Sequence, residues 1–219
     1  MNDLTLLIPA KQEAESLPLV LDELKPYNLK ILVVIAKNDT QTEQAISNYD
    51  IEILFQKNKG YGAALKEGID HIKTNYLCIF NADGSFRPSE LPEMYKKTKS
   101  YDFIFGTRYE ADCSSDDDTL ITSFGNFVFT NIGKIFFSLK VTDILYTFVL
   151  GKSSKFKNLQ LEKKDFCICP EIPINIARSG HTYTNNKSNE RKRLKGKKKV
   201  NAFYDGLKIL IYMISRFFK

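Results

Sequence analysis

The chain has 219 residues, enough for one large domain or two small ones with a buried core. Hydrophobic residues make up 43% of the sequence, which excludes a mainly disordered chain. The formal net charge of +6 favours anionic partners, namely nucleotide phosphates, nucleic acid or an anionic membrane surface. Charge alone does not choose among these partners.

The N-terminal segment does not have the pattern of a signal peptide, because Asp3 and Lys11 flank only a short apolar stretch. No uninterrupted apolar run approaches the ~20 residues of a membrane span. The four cysteines are expected to be reduced thiols, as in a cytoplasmic protein. We therefore expect a cytoplasmic chain whose contact with a membrane, if it has one, depends on amphipathic segments.

The first half of the chain alternates strand-like and helix-like stretches. The predicted strands are 4–9, 30–35, 51–55, 76–80 and one that begins at 103, and the predicted helices are 13–24, 41–49, 61–73 and 88–97. This alternation predicts an α/β fold with a mostly parallel sheet and helices on both faces. Ligands bind beyond the carboxyl ends of such strands, so we expect the segments that follow the strands to converge. These segments are 9–13, 36–39, 57–62 and 81–85.

The second half is less regular. Residues 112–118 are acidic and polar and are predicted to form a mobile loop, and the aromatic-rich stretch 124–139 has helical spacing. A short strand-like run follows Leu161, and after it come segment 171–180 and a basic loop at 187–199.

The last segment, 201–219, is predicted to be an amphipathic helix. A wide apolar surface covers most of the helix, and its polar residues fall on one narrow stripe, namely Asn201, Asp205, Lys208, Tyr212, Ser215 and Lys219. This pattern, with a basic end, is typical of a helix that lies in the membrane interface. The alternative is a helix packed on the core or against the second copy in a homodimer.

The segment 81–85 follows a predicted buried strand and contains Asp83 and Gly84. A carboxylate at this position is well placed to bind a divalent cation that holds a diphosphate, and oxygen ligands suit Mg²⁺ or Mn²⁺. The alternative is a plain strand-ending turn, because Asn, Asp and Gly are all favoured in turns.

Two other segments suit phosphate groups. Gly60 and Gly62 open a predicted helix, whose N-terminus favours a phosphate, although the Gly-Lys-Ser/Thr ending of a P-loop is missing. The basic run 191–199 fits a solvated loop, a nucleic-acid patch, or a clamp on phosphates and anionic lipid headgroups.

Taken in order, these segments resemble the family-2 glycosyltransferases with the GT-A fold, especially the polyprenyl-phosphate sugar synthases related to dolichyl-phosphate mannose synthase. The resemblance rests on six motifs between about residue 4 and about residue 212. The motifs are LLIPAKQEAESL, NKGYGAALKEGI, NADGSFRPSELP, FGTRY, VTDILYTF and RLKGKKKV.

The resemblance implies roles for particular residues. Asp83 is expected to ligate the metal, with Asn81 and Ser85 as weaker partners. Donor diphosphate or acceptor phosphate is expected to be held by Arg108, Arg193 and Lys199. Acidic residues near the acceptor are expected at Asp143 and Glu171, which are the candidate general bases for a hydroxyl acceptor. The residues expected to contact the donor nucleotide are Pro9, Ala10, Glu13, Asp39, Gly60 and Gly62.

The sequence departs from the family pattern at three places. Ile35 and Ala36 replace an acidic pair after the second strand, and Asp39 is the nearby substitute. Asn81 replaces the first Asp of the Asp-x-Asp segment, which removes one negative charge and predicts weaker metal affinity. Lys198 replaces the usual Ser before the final Lys.

The resemblance implies one GT-A (Rossmann-like) domain at 1–200, with a nucleotide-binding half at 1–105 and an acceptor half at 106–200. It further implies an inverting transfer from a nucleotide-sugar to a polyprenyl phosphate or a related lipid-linked acceptor. The enzyme would then be peripheral on the inner face of the membrane. Rival hypotheses are transfer to a surface-polysaccharide or oligosaccharide hydroxyl and a nucleotide-binding scaffold of weakened activity. Nucleic-acid binding ranks last, because it leaves the ordered motifs unexplained.

Overall fold

The computed structural model describes residues 1–196, 199 and 201–218. Seven strands lie within them: β1 Leu4–Pro9, β2 Lys30–Ala36, β3 Glu52–Gln56, β4 Tyr76–Ile79, β5 Phe103–Thr107, β6 Val149–Lys152 and β7 Tyr183–Lys187. The helices are α1 Leu17–Leu24, α2 Thr40–Ile46, α3 Tyr61–His71, α4 Leu91–Lys97, α5 Leu120–Phe137, α6 Ser153–Lys157, α7 Ile168–Arg178 and α8 Ala202–Phe217. Three-residue 3₁₀ turns follow α1 and precede α4.

The strands form one sheet in the order β3-β2-β1-β4-β6-β5-β7. Strands β1 to β4 pair in parallel, and β5 pairs in parallel with β7. β6 is antiparallel to both of its neighbours, β4 and β5. The predicted mostly parallel α/β sheet is therefore confirmed, and the carboxyl ends of β1, β2 and β4 meet at one edge.

Helices cover both faces of the sheet, as predicted. Successive side chains of β1 point into two cores on opposite faces of the sheet. Leu7 lies in one core, and Leu6 and Ile8 lie in the other. One core lies against α3, α7 and α8, and the other lies against α1 and α4. This double burial explains why β1 is a continuous apolar run rather than an alternating one.

The second half departs from the sequence prediction. The sequence did not predict β6 or β7, and the strand-like run after Leu161 leads into the helix α7. The acidic loop predicted to be mobile is tied to the protein, because Asp118 pairs with Arg108 and the Ser115 hydroxyl donates to Glu190.

α5 differs from expectation, whereas α8 packs on the core, one of the two placements that the sequence left open. α5 is long and apolar enough, by length and composition only, to cross a membrane, although no uninterrupted apolar run predicted such a helix. One side of α5 nevertheless lies on the protein, where Asn126 and Thr130 are buried. α8 packs on the core through Ile209, Tyr212 and Met213, so Tyr212, placed on the predicted polar stripe, is in fact buried.

Candidate active site

The turn after β4 forms the floor of the candidate site. Asp83 Oδ1 accepts a hydrogen bond from the Ser85 amide at 3.0 Å. Asn81 donates to the Ser85 hydroxyl at 2.5 Å and accepts from the Phe86 amide at 3.4 Å. Gly84 has a φ of 80°, the left-handed region that glycine adopts without strain. The predicted metal residues Asp83, Asn81 and Ser85 are therefore neighbours.

The basic loop after β7 lies directly on this turn. The Arg191 amide donates to Ser85 O at 3.1 Å, and the Leu194 amide donates to Asp83 O at 2.8 Å. The Leu194 side chain covers Gly84 so closely that a Cβ there would collide with it. Residues 197, 198 and 200 of this loop, including the predicted departure at Lys198, lie outside the described residues.

The two predicted phosphate-binding cations of this loop contact carboxylates. Arg193 Nη2 lies 3.3 Å from Asp83 Oδ2 and 3.6 Å from Asp117 Oδ2. Lys199 Nζ lies 3.6 Å from Glu13 Oε1 and donates to Gln12 O at 3.3 Å. A diphosphate at this edge would compete with these carboxylates for the same two cations.

The ends of β1 and β2 form the wall next to the floor. Pro9 ends β1, and the Ala10 amide donates to Val34 O at 2.9 Å. Asp39 caps α2 and accepts from the Gln12 amide at 2.5 Å. The predicted nucleotide residues of this wall therefore lie together.

Glu13 is the buried carboxylate of this wall. It accepts a hydrogen bond from the Ser16 hydroxyl at 2.6 Å. Burial raises the pKa of the Glu13 carboxyl, and the Ser16 hydrogen bond and Lys199 partly oppose this rise.

Arg108 is the centre of a buried ion-pair cluster. Its guanidinium donates to Asp143 through Nε at 2.7 Å and through Nη2 at 3.0 Å. Its Nη1 lies 2.7 Å from Glu190 and 3.3 Å from Asp118. Burial acts to lower the pKa of Arg108, but Asp143 and the other carboxylates hold it well above its ordinary value. Arg108 is therefore engaged by three protein carboxylates, and to act as the predicted phosphate ligand it would have to leave them.

Asp143 is equally engaged. One oxygen accepts from Arg108 Nη2 and from the Asn126 side chain at 2.6 Å, and the other accepts from Arg108 Nε. It is 2% exposed, and its place near the acceptor stays a prediction. Its contacts are those of a residue that orients Arg108.

Glu190 is a site residue that the sequence prediction missed. It accepts from Arg108 and from the Ser85 hydroxyl at 3.3 Å, and so links the Arg108 cluster to the β4 turn. The available signal was weak: Glu190 is the one acidic residue between Lys187 and Lys199. Asp118 and Asn126 were missed as well, because only the folded chain brings them to Arg108.

Ion pairs link carboxylates and cations at this edge. The carboxylates are Glu13, Asp83, Asp117, Asp118, Asp143 and Glu190, and the cations are Arg108, Arg193 and Lys199. Arg191, which donates to Gly84 O and pairs with Glu23, and the exposed Lys192 and Lys195 belong to the same loop as Arg193. In the described part of the chain, no three His, Cys, Asp or Glu residues are grouped to hold a metal. The oxygen donors around Asp83 therefore suit Mg²⁺ or Mn²⁺ that keeps phosphate and water ligands.

Three residues that were predicted for the site contact a different part of the protein, the loop 163–165. Gly60 and Gly62 face the loop 163–165, and a Cβ on either residue would collide with its carbonyl oxygens. The Ala63 amide donates to Lys164 O at 3.1 Å, so this loop covers the N-terminus of α3 where a phosphate was predicted. Glu171 accepts from the amides of Glu162 and Lys163 and is buried, so it fixes the same loop. All three residues thus contact protein groups, and their predicted cofactor and catalytic roles stay predictions.

A large open groove lies elsewhere, at the opposite edge of the sheet. Its volume is ≈ 810 Å³, and it is lined by residues such as Lys30, Asp50 and His71. Ligands of parallel α/β sheets bind at the carboxyl ends of the strands, and this groove lies at the other ends. We therefore assign the candidate site to the β4 turn and not to the groove.

Residues 5–160 match the sequence profile of the family described as Glycosyl transferase family 2. The chain belongs to this family. The family-2 match runs from β1 to α6 and includes Asp83, Arg108 and Asp143. Glu190, Arg193 and Lys199 follow the matched residues.

Individual family-2 relatives match a shorter part of the chain. An uncharacterised glycosyltransferase of Mycobacterium tuberculosis is 29% identical over 105 residues, which cover 48% of this chain and 48% of that protein. A dolichyl-phosphate beta-glucosyltransferase of Trichomonas vaginalis is 30% identical over 113 residues, covering 44% of this chain and 34% of that protein. The matches thus span about half or less of the length of these relatives.

Solved structures share the fold of this family-2 chain. Glucosyl-3-phosphoglycerate synthase from Mycobacterium tuberculosis, solved with Mn²⁺, UDP and phosphoglyceric acid, superposes with a TM-score of 0.76 at 11% identity. That superposition covers 98% of this chain and 78% of the other. Mannosyl-3-phosphoglycerate synthase from Rubrobacter xylanophilus gives a TM-score of 0.72 at 13% identity, covering 97% and 72%. The predicted GT-A fold is confirmed.

Proposed function

We propose that this chain transfers a sugar from a nucleotide-sugar donor to a polyprenyl phosphate or a related lipid-linked acceptor at the cytoplasmic membrane face. Membership of family 2 and the similarity to a dolichyl-phosphate beta-glucosyltransferase support this proposal. The observation that carries it is the meeting of Asp83, Arg193 and Lys199 at the carboxyl edge of the sheet.

The donor would lie across the ends of β1, β2 and β4. Ala10 and Asp39 would contact the nucleoside, and Arg193 and Lys199 would hold the diphosphate after leaving their carboxylate partners. Catalysis would come mainly from positioning and from stabilising the charge that develops on the departing nucleoside diphosphate.

A divalent cation would be held chiefly by Asp83, with Ser85 and Asn81 as neutral oxygen donors. Bound there, Mg²⁺ or Mn²⁺ would neutralise part of the diphosphate charge. The position of the Asp83 carboxylate in the turn after β4 supports a requirement for the metal, and the Mn²⁺ and UDP in the mycobacterial synthase complex agree with it. Asn81 in place of an aspartate would weaken the affinity.

The class of acceptor is inferred from the contacts that the two candidate bases make. An acceptor phosphate is already anionic, so its oxygen attacks the anomeric carbon as the bond to the diphosphate breaks, and no strong base is needed. Asp143 and Glu171, the two predicted bases, are occupied by Arg108 and by backbone amides. This arrangement favours a phosphate acceptor over a sugar hydroxyl, and inversion follows from single in-line displacement.

A second candidate is a nucleotide-binding scaffold of weakened activity. Asn81 removes a charged metal ligand, and Arg193 already pairs with Asp83. Such a protein would bind a nucleoside diphosphate without turning over a sugar donor.

The donor site is tested by thermal unfolding with UDP, GDP, CDP and dTDP, each with Mn²⁺ or with a chelator. A ligand that binds only the folded chain raises the midpoint by mass action. We expect one nucleotide to stabilise the chain with Mn²⁺ and not with chelator, and Asp83→Asn to abolish the effect. Asp50→Asn, an exposed carboxylate in the opposite groove, should leave it unchanged. No response to any nucleotide would contradict the proposal.

The acceptor is tested with the nucleotide-sugar that the first experiment selects. The donor, labelled in its sugar, is incubated with polyprenyl phosphate in vesicles, with phosphoglyceric acid, or with an oligosaccharide. Label in the lipid fraction supports the proposal. Label in phosphoglyceric acid or in the oligosaccharide contradicts the lipid acceptor and identifies the labelled compound as the acceptor instead. Nucleotide binding without any transfer identifies a scaffold.

A further inference from the structure

α5 and α8 expose an unusual number of large apolar side chains. On α5 these include Leu120, which is 92% exposed, and on α8 they include Phe203, which is 81% exposed. The complete set is Leu120, Ile121, Phe124, Phe127, Ile135 and Phe136 on α5, and Phe203, Tyr204, Leu207, Ile211, Ile214, Phe217 and the adjoining Phe218 on α8. Contiguous exposure on this scale marks an interaction surface. We call these side chains the apolar face.

The two helices contribute to one surface. On α5, Leu120, Phe124 and Phe127 are three or four positions apart and lie on one side of the helix. The aromatic rings of Phe136 and Phe217 meet with centroids 4.9 Å apart, which joins the two sets where both helices end. The apolar face is therefore continuous from α5 to α8.

The other sides of both helices are fixed to the protein. Asn126 of α5 donates to Asp143, and Thr130 accepts from the Ile144 amide at 3.2 Å. Ile209 and Met213 of α8 lie in the core that also contains side chains of α3 and α7. The apolar face is thus held outward by specific contacts on the opposite side of each helix.

The apolar face adjoins the candidate active site. α5 begins two residues after Asp118, whose carboxylate pairs with Arg108. α8 begins three residues after Lys199, which contacts Glu13. A surface that covered Leu120 and Phe203 would therefore lie beside both the ion-pair cluster and the basic loop.

Exposed lysines lie on α5 and in the loop before α8. α5 carries the exposed Lys134 and no acidic residue, and the loop adds the exposed Lys192 and Lys195. In the acidic loop before α5, Asp117 and Asp118 pair with Arg193 and Arg108 of the site. Apolar side chains beside lysines match the interface of a bilayer that contains anionic lipids, because the lysines remain at the headgroups.

We propose that the apolar face of α5 and α8 docks on an anionic lipid bilayer, with the side chains of both helices inserted in the interface. The inference rests on the proposed function in that a lipid-linked acceptor would reach the site from this bilayer. Docking itself requires neither donor nor metal.

The test uses the full chain and exploits its lack of tryptophan. Single reporters are introduced by Phe127→Trp on α5, Phe203→Trp on α8 and Leu19→Trp on α1 as a control. Leu19 is 42% exposed and lies outside the apolar face. Each variant is mixed with phosphatidylcholine vesicles, with or without phosphatidylglycerol, and with lipids brominated in their acyl chains.

With phosphatidylglycerol present, we expect the emission of the α5 and α8 reporters to shift to the blue and to be quenched by brominated lipid. The α1 reporter should show neither effect. The paired changes Phe124→Ser with Phe127→Ser, and Phe203→Ser with Leu207→Ser, should each lower the vesicle partition coefficient by at least about tenfold. Leu19→Ser should leave it unchanged, and high salt should weaken binding by the wild type.

Emission unchanged by vesicles would overturn the proposal. A concentration-dependent blue shift without lipid, with a dimer in sedimentation, would assign the face to a second copy and would overturn it too. Nucleotide stabilisation is measured on the same samples. Docking without transfer to lipid would contradict the proposed function alone, and nucleotide binding without docking would contradict this inference alone.

Discussion

At the scale of single residues, the arginines of the site are each paired with more than one carboxylate. Arg108 has three acidic partners, and Arg193 has two. The predicted phosphate ligands are therefore already paired with protein groups that a donor diphosphate would have to displace. Asp143 and Glu190 act on the site through Arg108.

Arg108→Lys tests this arrangement. A lysine keeps the charge but cannot donate to Asp143 at two points and to Glu190 at a third. We expect the free energy of unfolding to fall by about 2 kcal/mol, since a buried carboxylate loses its partner. Urea unfolding measures the loss. Arg87→Lys is the control, because one guanidinium nitrogen of Arg87 donates to Asn189 O. It should lower the free energy of unfolding by less than Arg108→Lys does. Equal losses would contradict the importance of the Arg108 cluster for stability.

Gly62→Ala tests whether the first turn of α3 serves packing or phosphate binding. The new Cβ would collide with the carbonyl oxygens of Lys163 and Asp165, so we expect a loss of about 1–3 kcal/mol in unfolding free energy. Nucleotide affinity should be unchanged, because the loop 163–165 covers this helix end. Gly125→Ala on α5, with open space around it, should be neutral or stabilising. A loss of nucleotide affinity without a loss of unfolding free energy would support phosphate binding at the N-terminus of α3.

At the scale of elements, side chains join segments that the chain order separates. Asp102 precedes β5 and accepts from Lys155 and Lys152, at 2.6 and 3.0 Å, and from the Thr182 amide. It therefore links α6, β6 and the start of β7. Burial acts to raise the pKa of Asp102, but the hydrogen bonds from Lys155 and Lys152 more than offset this and lower it below 3.8.

Asp102→Asn should destabilise the chain by roughly 1–2 kcal/mol at neutral pH. Because the folded state lowers the pKa of Asp102, its contribution is complete above the ordinary carboxyl value of 3.8 and is lost as the pH falls through the folded value. The difference in thermal unfolding midpoint between wild type and variant should stay constant from pH 7 to pH 5 and become smaller below about pH 4. Asp22→Asn, which removes an exposed pair with Lys25, should change little at any pH. A difference independent of pH would contradict this account.

At the scale of the whole molecule, the C-terminal helix belongs to the domain. The sequence suggested a boundary at residue 201, but Ile209, Tyr212 and Met213 complete the core that contains α3 and α7. α8 therefore has two surfaces, one that closes the core and one that remains open.

Deletion of 201–219 is expected to destabilise the chain rather than release a soluble domain. The deletion removes the buried Ile209, Tyr212 and Met213 and exposes the core against which they pack, at a cost of at least about 3 kcal/mol. Thermal unfolding of the truncated chain should show a lower midpoint. A midpoint equal to that of the full chain would mean that the helix is an independent appendage.

The sequence by itself determined the first half and the chemical type of the site. β1 to β4 and the helices between them have strong apolar patterns, and Asp83 follows β4 as the motif predicts. The segment 9–13, Asp39 and the 81–85 turn converge because parallel strands share one carboxyl edge.

Only the tertiary structure decided the second half. β6 has four residues, one of them Gly151, and its pairing between β4 and β5 depends on strands distant in sequence. Local pattern does not encode such a pairing. For the same reason, the sequence did not indicate that Glu190 joins Arg108 to Ser85 or that Gly62 packs under a loop. These contacts are made between distant segments, and they form only when the sheet brings the segments together.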